Sequence, residues 1–100
     1  MTSIEIPHQE TRIGQGVFEG CTSLTSISIP NSVTEIGDYA FNRCTSLSNV
    51  IIPQKITRIG RSAFERCNLT YIEIPKSVEE IGFSAFGYCY SFILFKYPIA

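Results

Sequence analysis

Apolar and polar positions along this chain follow a fixed order, and the order returns. In "SLTSISIP", Ile27 and Ile29 alternate with Ser26 and Ser28, the period of a half-buried strand. Pro30 then ends the strand or sits at its edge, because proline has no amide hydrogen for a ladder. "SVTEIG" predicts a second short extended piece, with Val33 and Ile36 pointing inward and Gly37 supplying a turn. "DYAFNRC" sets Ala40, Phe41 and Cys44 at i, i+1 and i+4, an apolar face over a helical turn or two.

The same phrase occurs along the whole chain. Ile-Pro pairs begin at Ile6, Ile29, Ile52 and Ile74, and Ile-Gly pairs at Ile13, Ile36, Ile59 and Ile81. Phe18, Phe41, Phe64 and Phe86 keep the same beat, as do Cys21, Cys44, Cys67 and Cys89. The step is 23 residues twice and then 22, because "CNL" at Cys67 stands where "CTSL" stands at Cys44. One unit cannot enclose its own apolar side, whereas stacked units form continuous internal columns of Ile, Phe and Cys. No linker interrupts the series, so residues 1–100 read as a single repeat domain of about four units.

The pattern resembles the BspA-like leucine-rich-repeat family, whose hallmark reads roughly "IPxSVTxIGxxAFxxCxSLxxIxIP" and covers nearly the whole chain. Leu24, Ile27 and Ile29 match the strand portion of the general leucine-rich repeat. The usual asparagine after the strand is absent, with Ser32, Lys55 and Ser77 near its place, so the convex side should differ from the standard horseshoe. The resemblance implies an α/β-type repeat solenoid: a right-handed coil stack with a parallel sheet on one face and short helical turns on the other. It also implies a surface or adhesion role, since members are known as surface proteins of anaerobic bacteria and parasitic protists.

Composition narrows the function classes. The chain has 44% hydrophobic residues and a formal net charge of −1, with Lys and Arg scattered singly. A basic stripe for nucleic acid is absent, as is an apolar run near the roughly 18–20 residues of a membrane span. The start, "MTSIEIPHQETRIG", lacks the form of a signal peptide. A cytoplasmic location is expected if Met1 is the native start, and a surface or secreted one if the chain is a fragment of a longer protein.

Four cysteines invite a zinc reading, but zinc sites bring close pairs such as C-x2-C to one point, and here the spacing is the repeat period. A ladder of buried, reduced and inaccessible thiols is the expectation; disulfides between neighbouring coils are the weaker alternative. His8, the only histidine, reads as an exposed loop residue, and Glu79-Glu80 as a polar face. "GQG" at Gly14 to Gly16 lacks the lysine of a phosphate loop. Asn68-Leu69-Thr70 is a sequon that matters only in a eukaryotic secretory route. Neither an enzyme nor a cofactor or metal site is expected.

The outward strand positions are the better candidates. Stacking makes two rows: Ser26, Asn49, Tyr71, Leu94 and Glu5, Ser28, Ile51, Glu73, Lys96. Ile51 and Tyr71 are the apolar exceptions, and with Asn49 and Glu73 they form the expected contact spot for a protein partner. The competing expectation is a purely structural segment of a larger repeat adhesin whose binding site lies elsewhere. Residues 88 to 98, "YCYSFILFKYP", are apolar with Lys96 the only charge, so self-association through the C-terminal coil is also expected, with two such ends meeting about a two-fold axis.

Overall fold

The computed structural model of the chain describes residues 3–89 and 94–96. Each unit contributes one strand to each of two parallel ladders. The first ladder holds β1 (Ser3–Glu5), β3 (Ser26–Ser28) and β5 (Asn49–Val50), and resumes with β7 (Tyr71–Glu73) and β9 (Leu94–Lys96). The second holds β2 (Arg12–Ile13), β4 (Glu35–Ile36), β6 (Arg58–Ile59) and β8 (Glu80–Ile81) in unbroken order. Registers follow the sequence period: Ile4 pairs with Ile27 and Ile27 with Val50, while Ile13, Ile36, Ile59 and Ile81 align down the second ladder. A parallel coil stack with two parallel ladders is therefore the architecture.

The interior consists of the columns that the pattern predicts. Val33, Ile36, Ala40, Phe41, Cys44 and Leu47 are fully buried, and Ile56, Ile59, Ala63 and Phe64 repeat them one coil on. Phe18, Phe41, Phe64 and Phe86 stack ring on ring, with centroids 5.3, 5.1 and 5.6 Å apart. That spacing is close to the roughly 4.8 Å between neighbouring strands, so the rings stack because the backbone sets the step. Each fully buried side chain of this size contributes about 1.5–3 kcal/mol.

The third part of each unit is not helical. It is a run of turns in which two residues per coil lie in the left-handed region: Gly16 and Gly20, then Tyr39 and Arg43, Ser62 and Arg66, Ser84 and Tyr88. The reason is hydrogen bonding along the stack. The amides of Gly16, Phe18 and Gly20 donate to the carbonyls of Asp38, Ala40 and Asn42 at 2.8–2.9 Å, and the next coils repeat the arrangement. A helix would satisfy these groups within its own coil and leave the neighbouring coil's groups without partners. Left-handed geometry costs roughly 1–2 kcal/mol at each of the non-glycine positions, and each inter-coil bond returns about 0.5–1.5 kcal/mol. The turns hold because the bonds come as a register-locked set, together with buried Phe and Ala.

The Ile-Gly pairs also have a packing cause. A Cβ placed on Gly60 would lie 2.6 Å from the Asp38 amide nitrogen and 2.6 Å from the Gly37 carbonyl carbon. Gly82 meets Arg61 and Gly60 in the same way, whereas Gly14, at the first coil, meets nothing within 4 Å. The glycine is thus needed where one coil's corner lies against the previous one, in addition to forming the turn.

All four cysteines are free thiols. The thiols of Cys44, Cys67 and Cys89 donate to the carbonyls of Phe18, Phe41 and Phe64 at 3.1–3.2 Å. Burial pushes the Cys44 thiol up to about 11 and raises Cys67 and Cys89 as well. The expectation of uniform inaccessibility fails at the ends, where Cys21 and Cys89 are only half-buried because no described coil covers their outer side.

Three measurements check this packing. Gly60→Ala should lower stability in urea denaturation by about 1–3 kcal/mol, the usual cost of overpacking, while Gly14→Ala should be neutral or stabilising by up to about 1 kcal/mol. Equal losses would mean that the glycines serve only chain flexibility. Native thiol labelling should mark Cys21 and Cys89 well before Cys44 and Cys67. An unfolded thiol ionises from its ordinary value of 9.0, and Cys44 only near 11 in the fold, so stability should fall as the pH rises from 9 to 11. Cys44→Ala should flatten that fall, and an unchanged slope would contradict the assignment.

Candidate functional site

The first ladder breaks where the sequence loses a residue. The loop from Cys67 to Leu69 is one residue shorter than the loop from Cys44 to Leu47. The Asn68 amide therefore reaches back to the Leu47 carbonyl at 2.9 Å, whereas in the preceding coil Ser48 donates to Thr25 at 3.1 Å. Beyond that point β5 and β7 do not pair, and β7 instead pairs with β9. Inside, the columns stay aligned: Leu47 and Leu69, Val50 and Ile72, and Ile52 and Ile74 are all buried. The break is confined to the surface, and a cleft of about 200 Å³ lies between the two strands there.

Asn49, Ile51, Tyr71 and Glu73 all line this cleft, with Gln54 and Thr70 nearby. Ile51 is 82% exposed and Tyr71 42% exposed, while Asn49 and Glu73 are also exposed. The Tyr71 hydroxyl donates to Glu73 Oε1 at 3.2 Å, which fixes the ring against its own strand. On either side of the break the backbone register pairs Ser26 with Asn49, Tyr71 with Leu94 and Glu73 with Lys96. Between Asn49 and Tyr71 this pairing is interrupted. The arrangement can seat a chain with an apolar group over Ile51 and Tyr71 and hydrogen-bonding groups toward Asn49, Gln54 and Glu73.

A second feature went unread in the sequence. Arg12, Glu35, Arg58 and Glu80 occupy one position of the second ladder in successive coils. Arg12 lies 3.8 Å from Glu35, and Arg58 lies 3.1 Å from Glu35, 3.3 Å from Asp38 and 3.6 Å from Glu80. Burial opposes the charge of Arg58, but Asp38, Glu80 and Glu35 together hold its proton more firmly than usual. Reading each repeat position down the coils would have shown this alternation. Isolated exposed pairs are worth about 0–1 kcal/mol, so the column sets register more than it stabilises.

The other candidates stay apart from the cleft. His8 is exposed in a loop, and Glu79 and Glu80 lie on the second ladder's side. Among the described residues, no group of three or more His, Cys, Asp or Glu converges as a metal site, and no helix is long and apolar enough to cross a membrane. Of the apolar tail, residues 90–93 and 97–98 lie outside the described residues; the backbone of residues 94–96 forms β9.

Comparison with known proteins agrees with this geometry. No curated protein sequence matches the chain. Among solved structures, the chain is similar to a leucine rich cell surface protein from Faecalibacterium prausnitzii A2-165, with a TM-score of 0.84 and 26% identity, covering 100% of this chain and 33% of that one. A leucine-rich repeat protein from Bacteroides ovatus superposes with a TM-score of 0.70 at 30% identity, over 95% of this chain and 33% of that one. The leucine rich repeat protein of T. pallidum gives 0.75 at 26% identity, over 90% of this chain and 56% of that one. The chain thus spans about a third of the length of the first two. The BspA type leucine rich repeat region matches residues 1–95 in six copies. With that match over stacked coils, twin parallel ladders and a phenylalanine column, the chain belongs to the BspA-type leucine-rich repeat family.

Proposed function

We propose that the chain is a non-enzymatic protein-interaction module that holds its partner at the cleft between β5 and β7. The observation that carries the proposal is the cleft at the break in the ladder, where two exposed apolar side chains, Ile51 and Tyr71, lie with polar neighbours around one concavity. An aromatic anchor inside a polar rim is the usual composition of an interface core. The chemistry argues against an enzyme. Burial keeps the thiols of Cys44, Cys67 and Cys89 away from the thiolate that a nucleophile needs. His8 is exposed in its loop and does not line the cleft.

A role at the cell surface, including adhesion, is part of the proposal; the surface location is supported by the similar Faecalibacterium structure, a leucine rich cell surface protein. The short span relative to that neighbour favours a second reading, in which these coils are a structural stretch of a longer surface protein. The two readings differ in whether the cleft matters for binding.

The test uses three variants in affinity capture from the source organism's lysate and from extracellular-matrix extract. Tyr71→Ala should weaken retention of the partner by roughly 30-fold, the loss expected of an anchor worth about 2 kcal/mol. Inserting one serine between Asn68 and Leu69 restores the 23-residue step, so the ladder should close and the partner should again be lost. Lys76→Ala, an isolated exposed charge, should behave as wild type. A partner retained equally by all variants would move the site off this face.

A further inference from the structure

The cleft between β5 and β7 has a neighbour on the same face. A second concavity, of about 470 Å³, lies over β1 and β3 and is lined by Glu5, Ser26, Ser28 and Ile51 among others. Ile51 lines both hollows, so this exposed side chain stands as a ridge between them. The two follow one another along the stack. Glu5, Ser28, Ile51 and Glu73 hold one outward position in successive coils, and the register sets Glu5 beside Ser28. Of all the residues lining the two hollows, only Glu5 and Glu73 are charged, and both are acidic. Lys55 and Lys76, in the turns after β5 and β7, line neither. Beyond β7 the register brings Lys96 of β9 to Glu73, so the acidic run ends at β7.

We infer that the partner presents an extended, basic segment that runs along the stack, across β1, β3, β5 and β7. The inference rests on the reading of the cleft as the binding site and specifies what the cleft takes. Glu5 and Glu73 stand three coil steps apart, roughly 15 Å at strand spacing. An extended chain covers that distance in about four residues, at about 3.3–3.6 Å each. The segment therefore carries Lys or Arg at two positions about four residues apart, one for Glu5 and one for Glu73. A small residue between them crosses Ile51, and an apolar side chain near the second cation lies against Tyr71.

Shape and charge both favour this occupant. An α-helix is about 10–12 Å across with its side chains, so it would rest on the Ile51 ridge and fill neither hollow. An extended chain is thinner and sends successive side chains to alternate sides, which lets it seat on both sides of the ridge. Two carboxylates without a lining cation repel a phosphate backbone and attract a cationic segment. Neutral polar groups of Ser28, Asn49 and Gln54 are left to meet the segment's backbone.

Selection of phage-displayed random dodecapeptides on the immobilised 100-residue chain tests this. The enriched sequences should carry two Lys or Arg about four residues apart, and the best of them, as a free peptide, should bind more weakly as salt is raised. Glu5→Lys should weaken that peptide at least about tenfold, because it turns attraction into repulsion. Changing the peptide's first cation to Glu should restore binding to this variant, which also shows that the variant is folded. Glu73→Gln, which keeps an acceptor for the Tyr71 hydroxyl, should weaken the wild-type peptide about threefold or more. Enriched peptides that are lost with Tyr71→Ala but lack cations, or bind Glu5→Lys as well as wild type, overturn the inference and leave the cleft as the binding site. Peptides held equally by wild type, Tyr71→Ala and Glu5→Lys overturn both readings. A selection that enriches nothing over an unrelated protein overturns the inference.

Discussion

The coil-to-coil step is the constraint on which the rest depends. Three sets of backbone hydrogen bonds run along the stack: two parallel ladders and the column through the turns. They hold successive coils at strand spacing, and everything that stacks must accept that distance. Flat phenylalanine rings accept it, as do thiols that bond to the carbonyl one coil back. Glycine corners accept it because no Cβ is present to collide with the coil behind. Charged side chains accept it by alternating in sign. Residues so unlike share one requirement, to present the same profile to the coil above and the coil below.

The apolar columns were legible in the sequence because burial follows the repeat period directly. Ile13, Ile36 and Ile59, Phe41 and Phe64, Cys44 and Cys67 all lie inside at the positions that periodicity assigns. The turns were less legible. Ala40, Phe41 and Cys44 share a face in a helix, but they also share one in a turn run, and apolar spacing alone does not separate the two. The deciding term is a bond to a neighbouring coil, which involves residues more than twenty positions apart, such as Phe18 and Ala40. Gly16 and Gly20 carried the only local clue, since the later coils place Tyr39, Arg43, Ser62 and Arg66 at the same left-handed positions.

The four cleft residues share an outward direction, and Ile51 and Tyr71 stand out there as apolar; direction is set by strand alternation that any single unit displays. The cleft itself was not visible in that way. The missing residue at Asn68 could be read as a loop that tolerates a change in length, but its effect on β5 and β7 depends on where the Asn68 amide finds its acceptor. The charge column was missed for a different reason. Arg12, Glu35, Arg58 and Glu80 differ in identity, so a search for repeated residues passes over a position whose regularity is one of alternation.

The short loop at Asn68 has a consequence for how a repetitive molecule can be specific. A stack of equivalent coils offers the same surface at every step, and a ligand would slide among equal positions. Removing one residue from a loop, while the columns beneath stay aligned, marks one coil boundary as different from the rest. The interior keeps its translational symmetry, and only the outer face loses it. A lesion confined to the surface thus gives a periodic scaffold an address, a single point along its length at which a partner can recognise where it is.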